Sequence, residues 1–215
     1  MTPDILTLYG DAFWISPYVF TCQVALREKG LPFEYVGVDL HEGAQHAPGY
    51  RDNSLTGRVP ALRHGDFWLA ESSAVAEYLD EAFPEGPTLL PKEVKARARA
   101  RQVMAWIRSD LMPIREERST TTMFYERATA PLSAAGVRAA EKLERVAKAL
   151  VPEEAGHLFG AWSIADSDLA FMLHRLLLNG HPLDARVRQW AEREWQRPSV
   201  REFVTHERPP YVPYG

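Results

Sequence analysis

An α/β half followed by an all-helical half is the fold class this sequence predicts, with domains at residues 1–84 and 92–215. Three observations carry that expectation. Short apolar runs alternate with helix-start signals in the first half; the segment FPEGPTLLP, Phe83 to Pro91, then breaks the pattern with three prolines and a glycine; and beyond it there is no strand-like alternation while Ala, Arg and Glu recur around apolar residues at helical spacing. A chain of 215 residues, 46% of them hydrophobic, has enough apolar surface for two modest cores.

The elements follow in order. Ile5 to Tyr9, ILTLY, is a short apolar run closed by Gly10, which suits a central strand buried on both faces. Ser16-Pro17 starts a helix, because serine accepts from the first free N–H groups and proline sits well at the first helical position. That helix runs to Lys29 on the apolar stripe Val19, Phe20, Val24 and Leu26; Gly30 supplies a left-handed end and Pro32 prevents continuation. A strand from Phe33 to Leu40 completes a β-α-β crossover. Residues 41–58, rich in Gly, Pro, His and Asn, form an irregular connection with room for one short helix. Val59-Pro60 opens the strand Ala61 to Arg63, His64-Gly65-Asp66 turns it into Phe67 to Ala70, and Glu71-Ser72-Ser73 caps a helix through Ala82. In the second half, residues 92–121 are helical with a kink or break at Pro113, Ser133 caps an amphipathic helix, and Ser163 with Asp166 forms a capping box ahead of the apolar run Leu169 to Leu178. Gly180 ends that buried helix, and two more follow, between Asp184 and Trp195 and from Ser199 to Val204.

Charge and cysteine usage narrow the function classes. With 25 basic against 29 acidic residues and a net charge of -4, nothing pulls the chain toward nucleic acid or an anionic membrane, and a small neutral or anionic partner fits better. The basic run KARARARQ falls around a helix and reads as a solvated face. The single cysteine, Cys22, excludes an intramolecular disulfide framework and a thiolate metal cluster, and points to a reducing compartment. The start, MTPDILTLYGD, lacks the basic-then-apolar pattern of a signal peptide, and no later stretch has the uncharged length of a membrane span, so a cytoplasmic, unprocessed chain is expected. His41 and His46 lack a third ligand at convincing spacing, His174 lies in an apolar helix, and no metal is expected. There is no nucleophile elbow, P-loop or dinucleotide fingerprint.

An α/β half of this order, with Ser16 at the first helix start, Val59-Pro60 before the third strand and Glu71-Ser72 after the fourth, resembles the glutathione transferases. FGAWSIADSDLA in the second half is similar to that family's signature helix, so the resemblance covers nearly the whole chain, and the order and spacing of the motifs are more specific than any one of them. It implies a thioredoxin-like domain of β-α-β-α-β-β-α order and an all-helical domain that receives the second substrate. The activity it implies is transfer of glutathione, as co-substrate and with no other cofactor, to a small hydrophobic electrophile or a peroxide, in detoxification or oxidative stress. It also implies a homodimer. Nearest are bacterial members of the serine-using kind.

For the site residues the resemblance implies Ser16 as the group that activates the glutathione thiol, the backbone of Val59 before a cis Pro60 as partner of the cysteinyl unit, Glu71 for the γ-glutamyl ammonium and Ser72 for its carboxylate. Arg58 stands where it pairs with the glycyl carboxylate, in the run NSLTGRVP, similar to the family's N-P-x-x-K-V-P type of run; here Asn53-Ser54 lacks the proline and an extra residue intervenes. The chemistry agrees. A thiol of pKa about 8.5 is only a few per cent ionised at neutral pH, and lowering that value by about two units requires roughly 2.7 kcal/mol of preferential thiolate stabilisation. One hydrogen bond to a charged group contributes roughly 1.5–3 kcal/mol and a helix N-terminus roughly 0.3–2 kcal/mol. A single hydroxyl at a helix start therefore suffices.

Simpler readings stand beside these: Ser16 as a plain cap, Pro60 as a strand-start proline, Glu71-Ser72 as a capping pair. Tyr9 and Cys22 are rival thiol-activating or reactive groups, and Phe13, Trp14, Ile15, Met112, Met123, Phe124 and Tyr125 are apolar residues that either wall the second-substrate pocket or simply pack. Two other functions remain open, a non-catalytic binding or regulatory module on the same fold and a glutathione-dependent disulfide oxidoreductase, which commonly places cysteine where Ser16 stands.

Overall fold

The computed structural model describes residues 5–213. They divide into two compact units, the chain up to Leu89 together with the tail from Glu202, and Leu90–Arg201.

In the first unit, strands β1 (Leu6–Asp11), β2 (Phe33–Val38), β3 (Ala61–His64) and β4 (Phe67–Ala70) form one sheet in the order β2-β1-β3-β4. Helix α1 (Pro17–Glu28) carries the chain between β1 and β2, which therefore pair in parallel, Leu6 opposite Phe33 and Asp11 opposite Val38. The two residues Gly65 and Asp66 between β3 and β4 permit only a hairpin, with Gly65 at φ 59°. Helix α3 (Ser72–Ala82) follows β4. The irregular connection does hold a helix, α2 (Pro48–Ser54), after a 3-10 turn at Ala44–His46. Its Tyr50 packs on the sheet beside Tyr9 and Trp68, with ring centroids 5.6 and 6.3 Å away. The resulting β-α-β-α-β-β-α order is that of a thioredoxin-like domain.

Strand β1 extends two residues past Tyr9, because Gly10 still pairs with Gly37 and Asp11 with Val38. A Cβ on Gly10 would lie 2.2 Å from the Tyr35 hydroxyl and 2.7 Å from Val19 Cγ1, so the absence of a side chain there is what lets Tyr35 and α1 approach the strand. At the far end of α1 the buried Lys29 ammonium is 3.4 Å from Asp80 of α3, whose same oxygen accepts the N–H of Leu89.

The second unit is helical: α4 (Val94–Ser109), α5 (Met112–Glu117), α6 (Thr121–Phe124), α7 (Ala134–Leu150), α8 (Ile164–Leu177) and α9 (Ala185–Trp195), after which α10 (Pro198–Val204) leads into the tail. The break expected at Pro113 comes slightly earlier: Leu111 turns the chain at φ 63°, and Pro113 sits in the first turn of α5, where its missing N–H would have had no helical partner. Every residue of α8 from Ile164 to Leu176 is buried, and Leu169, Leu173 and Leu176 join Ile107, Ile114, Leu143, Val187 and Trp190 in one core. Two charged residues of that helix are engaged: Asp168 pairs with Arg108 at 2.8 Å, and Arg175 donates to the Arg118 carbonyl at 2.9 Å. No described helix is long and apolar enough to cross a membrane.

His174, on the same helix, lies flat against Trp195 with ring centroids 3.8 Å apart, and its Nδ1 is 2.8 Å from the Ala170 carbonyl. Burial pushes its pKa down to about 4, against the opposing pull of that carbonyl. An unfolded chain takes up the proton near pH 6.5 while the folded one resists it, so the stabilisation present above about 6.5 drains away as pH falls toward 4, by up to about 3 kcal/mol. Urea unfolding of wild type and His174→Phe across pH 4–7 measures this; the variant should show the flatter dependence, and parallel curves would remove His174 as the source.

Candidate functional site

The strand register gathers the sequence-predicted residues at one end of the sheet. Tyr9 of β1 is opposite Ala61 of β3, which is in turn opposite Ala70 of β4. The end of β1 with the loop to Ser16, the start of β3 with Val59-Pro60, and the end of β4 with Glu71-Ser72 therefore share an edge, which also holds the N-termini of α1 and α3. Two helix starts present backbone N–H groups there, the ordinary setting for an anionic ligand.

Ser16 caps α1 with φ -66° and ψ 122°, its Oγ accepting from the Val19 N–H at 3.3 Å. A hydroxyl has one proton to give as well as lone pairs to accept with, and among the described residues the Ser16 proton has no acceptor. Capping and donation are thus compatible at this residue. The loop before it is held by a residue that sequence reasoning passed over. Asp11 is buried, and its two carboxylate oxygens accept from the N–H groups of Ile15 at 2.8 Å and Ser16 at 3.0 Å. Burial pushes the Asp11 carboxyl up, opposed chiefly by those two bonds. The Tyr35 hydroxyl donates to the Asp11 carbonyl at 2.8 Å.

The rivals of Ser16 lie elsewhere. Cys22 is fully buried inside α1. Tyr9 alternates with Gly10, whose face meets Val19 of α1, so its ring is on the other face, stacked on Trp68 at 4.7 Å. Phe13 and Ile15 are buried, Phe13 against Tyr211 at 5.4 Å, and Met123 is buried within the helical unit; these residues pack.

The peptide between Val59 and Pro60 is cis. The carbonyl of Arg58 accepts from the Tyr50 hydroxyl at 2.7 Å, while the residue itself is exposed. The run before Arg58 is held locally: the Gly57 N–H closes onto Ser54 Oγ at 3.2 Å, and the Asn53 amide returns to the Gly49 carbonyl at 2.6 Å. Glu71 stands at the N-cap of α3 with φ 70° and ψ 110°, and its side chain makes no capping bond, contrary to the expected capping cluster. A glutamate in that region costs of order 1–3 kcal/mol, and such strain concentrates at ligand sites. Glu71 is exposed, next to the buried Ser72 that begins the helix.

A second polar group, unmarked by any sequence spacing, lies in the helical unit. His157 Nδ1 is 3.2 Å from Glu194 and 3.7 Å from Asp166. Asp166 is already bonded at the start of α8, accepting from Leu158 N–H, Ser163 N–H and the Ser163 hydroxyl at 2.8, 2.9 and 2.9 Å, and Arg193 lies 3.6 Å from Glu194. Burial pushes both carboxyls up, and for Glu194 the neighbouring Asp166 adds to the rise. The group is a cluster of polar side chains that brings the loop before α8 against α9.

Comparison with known proteins bears on both units. The family model for the glutathione S-transferase N-terminal domain matches residues 8–87, and that for the C-terminal domain matches residues 93–208. A crystal structure of a glutathione transferase homologue from Burkholderia, with bound glutathione, is 43% identical, covers 93% of this chain and 96% of that one, and superposes with a TM-score of 0.77. Among curated proteins, glutathione S-transferase 1 of Dianthus caryophyllus is 39% identical over 103 residues, 48% of this chain and 46% of that protein. Glutathione S-transferase Z1 of Arabidopsis thaliana is 38% identical over 108 residues, 50% and 48% of the two. The matched stretch thus spans about half the length of these curated relatives.

Proposed function

Because the chain belongs to the glutathione S-transferase family, we propose that it is an enzyme that binds glutathione at the sheet edge shared by Ser16, Val59-Pro60 and Glu71-Ser72 and transfers its sulfur to a small hydrophobic electrophile. The observation that carries this reading is the convergence of three differently specialised groups on one edge: a capping hydroxyl with an uncommitted proton, a backbone pair ahead of Pro60, and a carboxylate on a strained backbone at a helix start. The Burkholderia homologue's bound glutathione supports the choice of ligand.

In this mechanism the thiol loses its proton to solvent while Ser16 Oγ–H donates to the sulfur and the α1 N-terminus adds its field, so that the thiolate form dominates near neutral pH. The sulfur then forms a bond to the electrophilic carbon and the leaving group departs with its electron pair. With a peroxide, the sulfur attacks the terminal oxygen and releases an alkoxide, and a second glutathione displaces water to give the disulfide. Val59 supplies backbone pairing for the cysteinyl unit. Glu71 takes the γ-glutamyl ammonium, Ser72 and the α3 N–H groups take its carboxylate, and Arg58 takes the glycyl carboxylate. No cysteine stands at the α1 start, which favours conjugation over mixed-disulfide exchange through the protein. The working setting in this reading is the cytoplasm, as a homodimer.

Calorimetric titration with glutathione, paired with conjugation of a chromophoric electrophile, tests the proposal on wild type and Glu71→Ala. Loss of a charge-assisted contact should weaken glutathione binding roughly 10- to 100-fold. No binding by the wild type would leave a scaffold of another function, and an unchanged affinity in the variant would remove Glu71 from the site.

A further inference from the structure

The loop that ends at Ser16 is braced by the C-terminal tail. Trp14, two residues before Ser16, adopts φ 55°, a left-handed conformation that a residue with a Cβ adopts only when its surroundings impose it. One face of its indole is stacked on Tyr35 at 3.9 Å and 21°, and it is also stacked on His206 at 3.7 Å and 17°. Its carbonyl accepts from Arg208 Nε at 3.0 Å, across 194 positions of sequence. The guanidinium is fixed in turn. Arg208 Nη2 donates to the Phe203 carbonyl at 2.9 Å, and Nη1 donates to those of His206 at 2.9 Å and Val204 at 3.3 Å. Phe203 is fully buried and meets Phe20 of α1 edge-on at 5.4 Å. The brace is therefore anchored on the same helix that Ser16 caps.

Two fixed points bracket the serine. Asp11 grips the N–H groups of Ile15 and Ser16 from one direction, and Arg208 grips the Trp14 carbonyl, which belongs to the same peptide group as the Ile15 N–H. With both ends of that peptide plane held, the entry of Ser16 into α1 has little rotational freedom left. Sequence-local signals set the cap, but its orientation depends on the tail.

We propose that Arg208, with His206 stacked on Trp14, is a positioning residue for the Ser16 hydroxyl, so that the tail is a working part of the thiol-activating site. This rests on the assignment of Ser16 above. Arg208 touches neither sulfur nor electrophile and acts through the Trp14–Ser16 backbone.

The test is ultraviolet titration of the bound glutathione thiolate, with kcat and KM for conjugation, in the full chain carrying Ser16→Ala, Arg208→Ala, Arg208→Lys or the double replacement. Arg208→Ala should move thiol ionisation to higher pH by about one unit and lower kcat roughly tenfold, with the dissociation constant of glutathione changed by less than about threefold. Arg208→Lys should recover part of the loss. The double variant should be no worse than Ser16→Ala alone, because both replacements act through one hydroxyl. A shift with Ser16→Ala but none with Arg208→Ala, or losses that simply add, would overturn the positioning role alone. A silent Ser16→Ala would overturn the assignment of Ser16 and the brace with it. Should Arg208→Ala fail to fold, His206→Ala removes only a stacking partner and carries the same expectation.

Discussion

Replacing Ser16 with alanine should lower kcat for conjugation by roughly 10- to 100-fold while leaving glutathione affinity nearly intact. The magnitude follows from what the hydroxyl does in each state. Its acceptor side is committed to the Val19 N–H at 3.3 Å, and its proton is the part available to a developing thiolate. A hydrogen bond to a charged partner contributes roughly 1.5–3 kcal/mol, which sets the range, and because the neutral thiol gains much less from it, binding is largely spared. The lost cap costs about 1 kcal/mol of stability, so the melting temperature falls by only a few degrees while turnover collapses. Steady-state kinetics with a parallel thermal melt separate the two effects. Equal activity in the two proteins would take Ser16 out of the mechanism.

Asp166→Ala should be the most damaging substitution to stability, at roughly 3–6 kcal/mol, comparable with half of what holds a typical domain together. The side chain is fully buried and accepts three bonds, from the N–H groups of Leu158 and Ser163 and from the Ser163 hydroxyl. Alanine leaves the two Ser163 donors buried and unpaired and frees the half-buried Leu158 N–H, and it loosens both the start of α8, whose residues fill the core of the helical unit, and the loop that carries His157. Asp166→Asn keeps the shape and one acceptor oxygen and should recover about half of the loss. Urea unfolding curves for the two variants measure this, and a loss below about 1 kcal/mol for alanine would mean that water replaces the carboxylate.

The parts of the fold that could be read beforehand are those where the deciding interaction is local. Ser16-Pro17, Gly65-Asp66 and Ser163 with Asp166 each carry their own capping or turn chemistry within four residues, and each forms the expected feature. Helix α2 was less legible because Gly49 and Asn53 are weak helix formers and the helix exists through Tyr50 packing on the sheet. Pro113 marked a break correctly but not its position, since the chain turns at Leu111, an ordinary leucine in a left-handed conformation. Of the proposed site, the candidate residues Ser16, Arg58, Val59, Pro60, Glu71 and Ser72 come from the sequence, whereas the groups that hold them do not. Asp11 reads as one more strand-end aspartate, and Arg208 as one basic residue in a proline-rich tail; their meaning comes only from contacts across the fold.

The register of β3 on β4 acts as a ruler for whatever is held between them. Ala61 and Ala70 are opposite one another because two residues, Gly65 and Asp66, separate the strands at the other end of the hairpin. A slip of one residue there would carry Glu71 about 3.4 Å along its strand and turn alternate side chains to the opposite face, while Val59 stayed in place. The separation between the groups proposed for the γ-glutamyl and cysteinyl units of a tripeptide is therefore measured out by a turn that never touches it. A change in that turn's length would alter which peptides fit before it altered any residue that meets them.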